Sequence, residues 1–266
     1  MLSESGESSY RVALGYPAYP GATDFRSLMA ATVHVSEQHT VKFIPCIGSE
    51  TCRGFNFTWV NALAMAEKCE ITHFAMLHAD IAPQQHWLDA LVAECDRLDA
   101  HVVSAVSPIK SAEGLTSTAI DIDGKWRQRR LVMQEIMRLP ETFDIYDTIR
   151  LGVNPDHKPL LLNTGCWVAD LRKSEWFELD ADGYSPFYFT FNHAIRKDPA
   201  TGQWTTMAES EDWWFSRRMA ERNMTYYATR KVALEHFGIH GFRNDVAWGT
   251  AAADPAHVLT EEAVAA

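Results

Sequence analysis

The sequence predicts an α/β protein whose core is a mainly parallel, doubly wound sheet with helices on both faces. Short apolar runs alternate along the chain with longer segments whose apolar residues recur at helical spacing. Alternation of this kind is typical of β-α-β units, in which right-handed crossovers place consecutive strands parallel to one another. Hydrophobic residues make up 47% of the 266 residues, so the chain is able to bury the core that such a sheet needs.

The first half of the chain contains four predicted strands and three predicted helices in alternation. The first strand is short because Pro17 and the breakers that follow it, up to Gly21, oppose a longer one. The first two helices each show one apolar face that would pack on the sheet. Strands are predicted at 11–16, 41–45, 72–77 and 101–106, and helices at 24–37, 54–69 and 84–98.

The third strand ends in a turn that carries two side chains able to bind a metal, His78 and Asp80. Ligands of parallel α/β sheets gather at the carboxyl ends of the strands, which is where this turn lies. Two residues apart in an extended segment, the two side chains would point the same way and could reach one divalent ion bound to a diphosphate. A simpler interpretation is that Asp80 is an N-terminal acid of the helix at 84–98.

A polar break, Asn163-Thr164-Gly165, separates two apolar runs at 160–162 and 166–170. A glycine in such a break lets the backbone approach a ligand closely. The same pattern is typical of an ordinary bulge or turn between strands. The sequence leaves both interpretations open.

Two further patterns place titratable groups at the ends of elements. Glu211 and Asp212 follow Ser210 at a predicted helix start, where one carboxylate could accept a proton from a hydroxyl, although acids are common at helix starts. A late predicted strand ends in His236 and His240 with glycines beside them. Two such histidines are better placed for a metal or a phosphate than a lone core histidine is.

Composition restricts the partners and the compartment. The formal net charge of −11 disfavours broad contact with nucleic acid or an anionic membrane, so we expect no membrane partner and leave nucleic acid open. A basic cluster at 125–130 is either a solvated face or a site for an anionic acceptor. Scattered cysteines and the absence of a signal-like or membrane-spanning run predict a cytoplasmic protein.

The chain is predicted to form one catalytic domain at 10–250, without internal repeats or linkers. A flexible N-terminal tail at 1–9 and a C-terminal tail at 251–266 would flank this domain. Within it, residues 10–106 form the predicted nucleotide-binding half, and residues 107–250 form a mixed acceptor half.

In their order along the chain, these motifs resemble those of glycosyltransferases of the GT-A fold, over residues 10 to 243. The similarity comprises a Rossmann-like nucleotide-binding half, a degenerate acidic DxD motif at a strand end, a Glu-Asp pair that opens an Arg-bearing helix, and a late histidine. The residues that carry the resemblance are His78-Ala79-Asp80, Glu211-Asp212, Arg217, Arg218 and His236.

The resemblance implies a Mn²⁺ or Mg²⁺ ion that Asp80, His78 and His236 hold together with the donor diphosphate. Carboxylate oxygen and imidazole nitrogen are ligands that suit such an ion. A carboxylate usually stands in the family where this chain has His78, and an imidazole there favours Mn²⁺. Whether His78 or His240 binds the metal stays open.

The resemblance also implies where the donor sugar nucleotide binds. Aromatic rings after the first strand would stack on the base, the start of the second helix would favour the diphosphate, and the polar break would line the donor sugar or the acceptor. Trp167 could stack on a pyranose face. The implied donor-binding residues are Tyr16, Pro17, Tyr19, Arg53, Asn56, Ala79, Asn163 and Gly165.

The resulting hypothesis is a hexosyltransferase-like enzyme that moves a sugar from a nucleoside diphosphate sugar to a hydroxyl acceptor. The acceptor could be a glycan, a small molecule, a protein or a modified nucleobase, and the segments at 107–147 and 184–203 are predicted to face it. In the preferred inverting form, Asp212 removes the acceptor proton and Glu211 orients it. In a retaining form, Asp212 would only orient the substrates.

Two other classes stay open. A nucleotidyltransferase shares a nucleotide-binding α/β sheet and a metal, but normally has a Gly-rich, basic loop after its first strand. Here that loop, at 16–21, contains a single Gly and no Lys or Arg. A non-enzymatic carbohydrate-binding domain would be consistent with the nine tryptophans of the chain.

Overall fold

The computed structural model describes residues 9–19, 21, 23–124, 126–155, 158–238 and 241–250. Both predicted tails lie outside the described residues, apart from Ser9. Among the described residues, no helix is long and apolar enough to cross a membrane. The helices are α1 (Phe25–Thr32), α2 (Thr51–Glu67), α3 (Trp87–Leu98), α4 (Met133–Ile136) and α5 (Glu211–Glu221), with 3-10 helices at Tyr146–Leu151 and Ser174–Phe177. The strands are β1 (Arg11–Ala18), β2 (Thr40–Ile47), β3 (His73–Leu77), β4 (Ile81–Pro83), β5 (Val102–Ala105), β6 (Leu115–Asp121), β7 (Gln128–Val132), β8 (Thr142–Phe143), β9 (Leu160–Leu161), β10 (Cys166–Asp170), β11 (Asn192–Lys197), β12 (Trp204–Glu209), β13 (Tyr226–Thr229), β14 (Leu234–Phe237) and β15 (Gly241–Arg243).

A seven-stranded sheet forms the centre of the structure, with the strand order β2-β1-β3-β10-β5-β13-β8. β1 pairs in parallel with both β2 and β3, and β5 pairs in parallel with β13. β10 runs antiparallel between β3 and β5, and β8 is an antiparallel edge strand beside β13. All strands of the sheet except β10 and β8 therefore share one direction, which confirms the predicted mainly parallel sheet.

Helices cover both faces of this sheet, as predicted. Successive side chains of a strand point to opposite faces, so Ala13 of β1 packs in one core with Trp59 of α2, whereas Leu14 packs in another core with Trp87 of α3. The first of these cores also contains Phe215 of α5. Because both faces are buried, β1 and β3 appear in the sequence as continuous apolar runs rather than as alternating ones.

Three small antiparallel sheets accompany the central one: β6 with β7 and β9, β4 with β14 and β15, and the hairpin β11–β12. The pairing of β4 with β14 brings the late histidine-bearing strand close to the turn that follows β3. Strands β10 and β13 belong to the predicted acceptor half, yet they lie inside the central sheet. The two predicted halves therefore share one sheet.

The first strand is longer than its prediction. β1 continues through Pro17 to Ala18 and pairs with β2 over its whole length. β3 pairs with β1 only as far as Gly15, so the missing N–H of Pro17 leaves no hydrogen bond unmade on that side. A proline that was expected to end the strand is thus accommodated within it.

Helices α1 and α3 are shorter than predicted, and the difference decides the role of Asp80. α1 stops early because the chain turns to bind α3: the backbone N–H of Glu37 donates to the Asp89 carboxylate at 2.9 Å. α3 begins at Trp87 because the preceding residues form β4, and its first turn contains Asp89. The interpretation of Asp80 as an N-terminal acid of this helix is therefore wrong.

Gly15 tests how closely α2 packs on β1. A Cβ atom at this position would lie 2.7 Å from the Cβ of Thr58 and 3.0 Å from a ring carbon of Phe74. We expect Gly15→Ala to lower the free energy of unfolding in urea by about 1–3 kcal/mol, because overpacking forces backbone shifts. Gly48→Ala is the matched control, since no atom lies within 4 Å of its added Cβ. Equal unfolding midpoints for the two variants would contradict this packing.

Candidate functional site

The turn that follows β3, residues 78–80, is held by backbone hydrogen bonds from distant segments. The His78 N–H donates to the carbonyl of Gly165 at 2.8 Å, and the Phe237 N–H donates to the carbonyl of Asp80 at 2.7 Å. His78 and Asp80 thus lie in a fixed turn, not in the extended segment that the sequence predicted. Gly165 directly precedes β10, and Phe237 is the last residue of β14, so both strands lie beside the end of β3.

Asp80 and His236 face each other across this turn. The Nε2 atom of His236 lies 3.5 Å from Oδ2 of Asp80, while its Nδ1 atom lies 2.7 Å from the carbonyl of Pro108. A carbonyl oxygen only accepts, so Nδ1 carries a proton, and Nε2 is the ring nitrogen that faces the Asp80 carboxylate. A metal-binding histidine characteristically donates its other N–H to such a carbonyl, so the orientation of this ring is one that a metal ligand would have.

Lys110 adds a cation to the same turn, and sequence reasoning missed it. Its ammonium forms an ion pair with Asp80. Burial of Asp80 opposes its ionisation, but the hydrogen bond and charge of His236, followed by His78 and Lys110, hold the pKa of the Asp80 carboxyl well below its usual range. Asp80 is therefore an anion at neutral pH. The one signal in the sequence was a lysine soon after the carboxyl end of a predicted strand.

His78 is neutral at physiological pH. Its ring packs against that of Phe55, with centroids 4.5 Å apart, and burial lowers the pKa of His78 to about 4 although the charge of Asp80 opposes this. Its Nε2 atom is buried without a hydrogen-bond partner in the described part of the chain. Within that part no three His, Cys, Asp or Glu side chains group as a metal site. Asp80 and His236 are thus the pair that the fold brings together, and His240 lies outside the described residues.

A cleft of about 160 Å³ opens beside the turn, between the ends of β1 and β2 and the start of α2. Three of the residues predicted to bind the donor, Pro17, Tyr19 and Ala79, line it together with His78 and Asp80. Tyr19 is 54% exposed, so one face of its ring is accessible to a ligand. These residues were predicted from their positions after the first and third strands.

Tyr16 and Trp167 lie elsewhere. Tyr16 is 3% exposed, and its hydroxyl lies 3.2 Å from the hydroxyl of Ser27, which in turn donates to the carbonyl of His78. Trp167 is fully buried beside Trp59. Neither ring is accessible to a base or a sugar, so both predicted stacking roles are wrong, because each side chain points from its strand into a core.

The two polar residues predicted on the second helix do not line the cleft either. The side-chain amide of Asn56 donates to the carbonyl of Phe189 and accepts from its N–H, each at 2.8 Å. Both ends of the amide are thus used to hold a neighbouring segment, which corrects the predicted donor contact. Arg53 is exposed in the first turn of α2 and is absent from the cleft lining.

The polar break at 163–165 connects the turn to a buried carboxylate at the start of α5. Asp212 accepts a hydrogen bond from the hydroxyl of Thr164, a second from the Thr164 N–H at 3.3 Å, and a third from the side-chain amide of Asn163 at 3.2 Å. The carbonyl of the same Asn163 amide accepts the N–H of Gly165 at 2.8 Å. The polar break, which the sequence left open as an ordinary bulge, thus contacts both the turn at 78–80 and the carboxylate of Asp212.

Gly165 is the point at which this segment meets the turn. A Cβ atom here would collide with the side chain of Ile81, and it would lie 2.8 Å from Oδ1 of Asn163 and 3.2 Å from Nδ1 of His78. Any larger residue would push the turn and the polar break apart. The glycine is therefore needed for close approach of protein to protein, whereas the sequence suggested close approach to a ligand.

The adjacent acids Glu211 and Asp212 are both buried, and burial raises the pKa of each. Burial, and then the charge of Asp212, raise the pKa of Glu211 to about 8. Burial also raises the pKa of Asp212, while its hydrogen bonds to Thr164 and Asn163 and the charge of Arg130 oppose that rise. The donors around Asp212 favour its ionised form, so Glu211 is the acid of this pair that keeps its proton near neutral pH.

The arginines of α5 serve the fold. Arg217 is buried and forms ion pairs with Glu209 and Asp121, which ties α5 to the ends of β12 and β6. Arg218 pairs with Glu221 in the next turn and stacks over a tryptophan ring. Neither contact reaches the turn after β3.

Protonation of Glu211 should make stability depend on pH. An unfolded chain releases this proton near pH 4.5, whereas the folded protein keeps it up to about pH 8. The stabilisation is therefore complete below pH 4.5 and is lost as the pH rises through 8. We expect the wild type to lose more stability between pH 5 and pH 8, measured by urea unfolding, than Glu211→Gln does. Glu178→Gln, at an exposed site, is the control and should follow the pH profile of the wild type. Identical profiles of the wild type and Glu211→Gln would refute the raised pKa of Glu211.

Comparison with known proteins bears on the fold alone. The sequence matches no protein-family model and no curated protein. A solved structure described as the crystal structure of A197 from STIV is similar to this chain, with 11% sequence identity and a TM-score of 0.50. The similarity covers 91% of this chain and 96% of that chain, so it extends over most of the mixed α/β fold.

Proposed function

We propose that this protein is a nucleotide-sugar-dependent glycosyltransferase of the GT-A type. The proposal rests on one observation: the polar break at 163–165 joins the turn that carries Asp80 to the buried carboxylate of Asp212. Sugar transfer needs both kinds of site side by side. Charge on the leaving diphosphate has to be stabilised, and the acceptor hydroxyl has to lose a proton.

The donor diphosphate is proposed to bind at Asp80 and His236. With Nε2 deprotonated, this nitrogen and the Asp80 carboxylate would suit a Mn²⁺ or Mg²⁺ ion that keeps its other positions for diphosphate oxygens and water, with His78 as a further nitrogen close by. When bound, such an ion would stabilise the charge on the departing diphosphate. Lys110 would supply additional positive charge at the same turn.

The nucleoside is proposed to occupy the neighbouring cleft. Tyr19 is the exposed ring there, and stacking of a base on an aromatic side chain contributes about 1–3 kcal/mol. The start of α2 lines the same cleft, and the free N–H groups of a helix N-terminus favour an anion such as a phosphate. Base and diphosphate would then lie on adjacent strand ends, as ligands of parallel α/β sheets do.

Asp212 is proposed to be the base of an inverting transfer. The acceptor oxygen would attack the anomeric carbon, the bond from that carbon to the diphosphate would break, and the acceptor proton would pass to Asp212. Hydrogen bonds from the polar break hold the Asp212 carboxylate in one orientation and favour its anion, while Glu211 keeps its proton. In the retaining alternative, Asp212 makes the same contacts and orients the substrates.

The tryptophans give little support to a carbohydrate-binding module without enzymatic activity. Such a module would present flat aromatic rings to solvent, where they can stack on sugars. Most tryptophans of the described chain are buried in its cores instead, and Trp204 is the one with a largely exposed ring, at 71%. The buried ones are Trp59, Trp87, Trp167, Trp176 and Trp213.

Nucleoside diphosphates should stabilise the protein against heat in a way that depends on Mn²⁺ and Asp80. A ligand at about 100 times its dissociation constant adds about 2.7 kcal/mol of stability. We expect Asp80→Asn to fold normally and to lose most of this Mn²⁺-dependent stabilisation. Asp99→Asn is the matched control, because Asp99 is also paired with a lysine and its left-handed backbone accepts Asn. Equal shifts for Asp80→Asn and the wild type would remove the proposed diphosphate site.

Asp212→Asn should slow transfer without weakening donor binding. Loss of a general base costs about 10²–10⁴ in rate, so we expect turnover to fall by that factor while donor affinity stays within about threefold. Product formation from a nucleotide sugar panel measures the first quantity, and calorimetry measures the second. Near-normal turnover, or a product with the anomeric configuration of the donor, would rule out the inverting base and favour the retaining alternative.

A further inference from the structure

A second pocket lies along the start of α5, where Ser210 and Trp213 line it. It has a volume of about 330 Å³ and three walls, which include Arg127 and Arg130 from one segment, Phe191 from a second, and Glu209 and Trp213 from a third. The first two walls belong to the two segments that were predicted to face the acceptor. Phe191 and Trp213 make part of the lining apolar.

Arg130 is the unusual residue in this pocket. Its guanidinium carbon lies 4.5 Å from the ring centroid of Trp213, and its Nη1 donates to the carbonyl of Thr116 at 3.0 Å. Within the described residues no carboxylate forms an ion pair with it, although its surroundings are largely desolvated and burial lowers the pKa of Arg130 to about 10. The charge of Asp212 acts on this guanidinium, but no carboxylate of the described chain contacts it, and a desolvated guanidinium in that situation is a receptor for an anion.

The acids in the pocket wall do not neutralise Arg130, because each of them has other partners. Glu209 forms an ion pair with Arg217. Asp123 accepts the backbone N–H groups of Trp126 and Arg127, each at 3.0 Å. Arg127 lines the same pocket as a second cation, exposed and without an ion pair in the described chain. The pocket thus has a local excess of positive charge in a protein whose net charge is −11.

We infer that this pocket binds a carboxylate or phosphate group of the acceptor, with Arg130 as its main contact and Arg127 as a secondary one. The inference rests on the proposed glycosyl transfer and specifies the acceptor class. A guanidinium binds either anion through two parallel N–H···O bonds, and the ring of Trp213 beneath it keeps its plane fixed. Because the charge of Arg130 also acts on Asp212, an anion held here places a neighbouring hydroxyl beside the proposed base.

Anion binding can be measured without any nucleotide sugar. We would titrate the full-length protein with inorganic phosphate and, separately, with acetate, and follow binding by calorimetry. We expect Arg130→Gln to weaken binding at least tenfold and Arg127→Gln to weaken it about threefold. Arg150→Gln, at an exposed arginine outside the pocket, is the matched control and should leave binding unchanged. Preference for phosphate or for acetate separates a phosphorylated acceptor from a carboxylated one.

Wild-type protein that binds neither anion, or Arg130→Gln protein that binds as tightly as the wild type, would overturn the inference. Competition between phosphate and a nucleoside diphosphate with Mn²⁺ would also overturn it, because the anion would then occupy the donor site. Should Arg130→Gln fail to fold, Arg127→Gln still decides, since that side chain is exposed. Arginine-dependent anion binding in a protein that hydrolyses no nucleotide sugar would refute the glycosyltransferase proposal and leave the anion site standing.

Discussion

The polar break before β10 is the constraint on which the rest of the site depends. Through Gly165 it binds the turn at the end of β3, and through Asn163 and Thr164 it binds Asp212 at the start of α5. β10 can make both contacts because it runs antiparallel between β3 and β5, so it enters the sheet at the edge where those strands end. One antiparallel strand thus joins the turn that carries Asp80 to a buried pair of acids.

Burial affects an acid near each end of the polar break, and the different partners of these acids leave one ionised and the other protonated. Asp80 is ionised because His236 and Lys110 outweigh the cost of its desolvation. Glu211 keeps its proton because the charge of Asp212 adds to that cost, and no cation pairs with it in the described chain. Acids whose environments push their pKa values apart can serve as an anionic cation ligand and as a proton carrier in one site.

Hydrophobic periodicity predicted β1, β2, β3 and β5 of the central sheet and the helices between them, but not β8 or β13. Polar strand ends located the turn with Asp80, and a helix-start pattern located the start of α5. Periodicity could not assign Tyr16 or Trp167, because a strand buried on both faces shows no difference in the sequence between the side that faces a cleft and the side that faces a core. Lys110 was not predicted as a site residue, because its surroundings come from segments distant in sequence. Arg130 lies in the basic cluster at 125–130, for which the sequence left a solvated face and a site for an anionic acceptor open.

The net charge of the protein also differs from the local charge at the two sites. A net charge of −11 describes long-range repulsion, but salt at physiological concentration screens exposed charges beyond about 8 Å. Within that distance, an anion at the turn encounters Lys110, and one in the second pocket encounters Arg130, both where water is partly excluded. Acidic composition therefore argues against a broad nucleic acid or membrane surface, and it leaves binding of small anionic groups to the few cations that the fold places at these two positions.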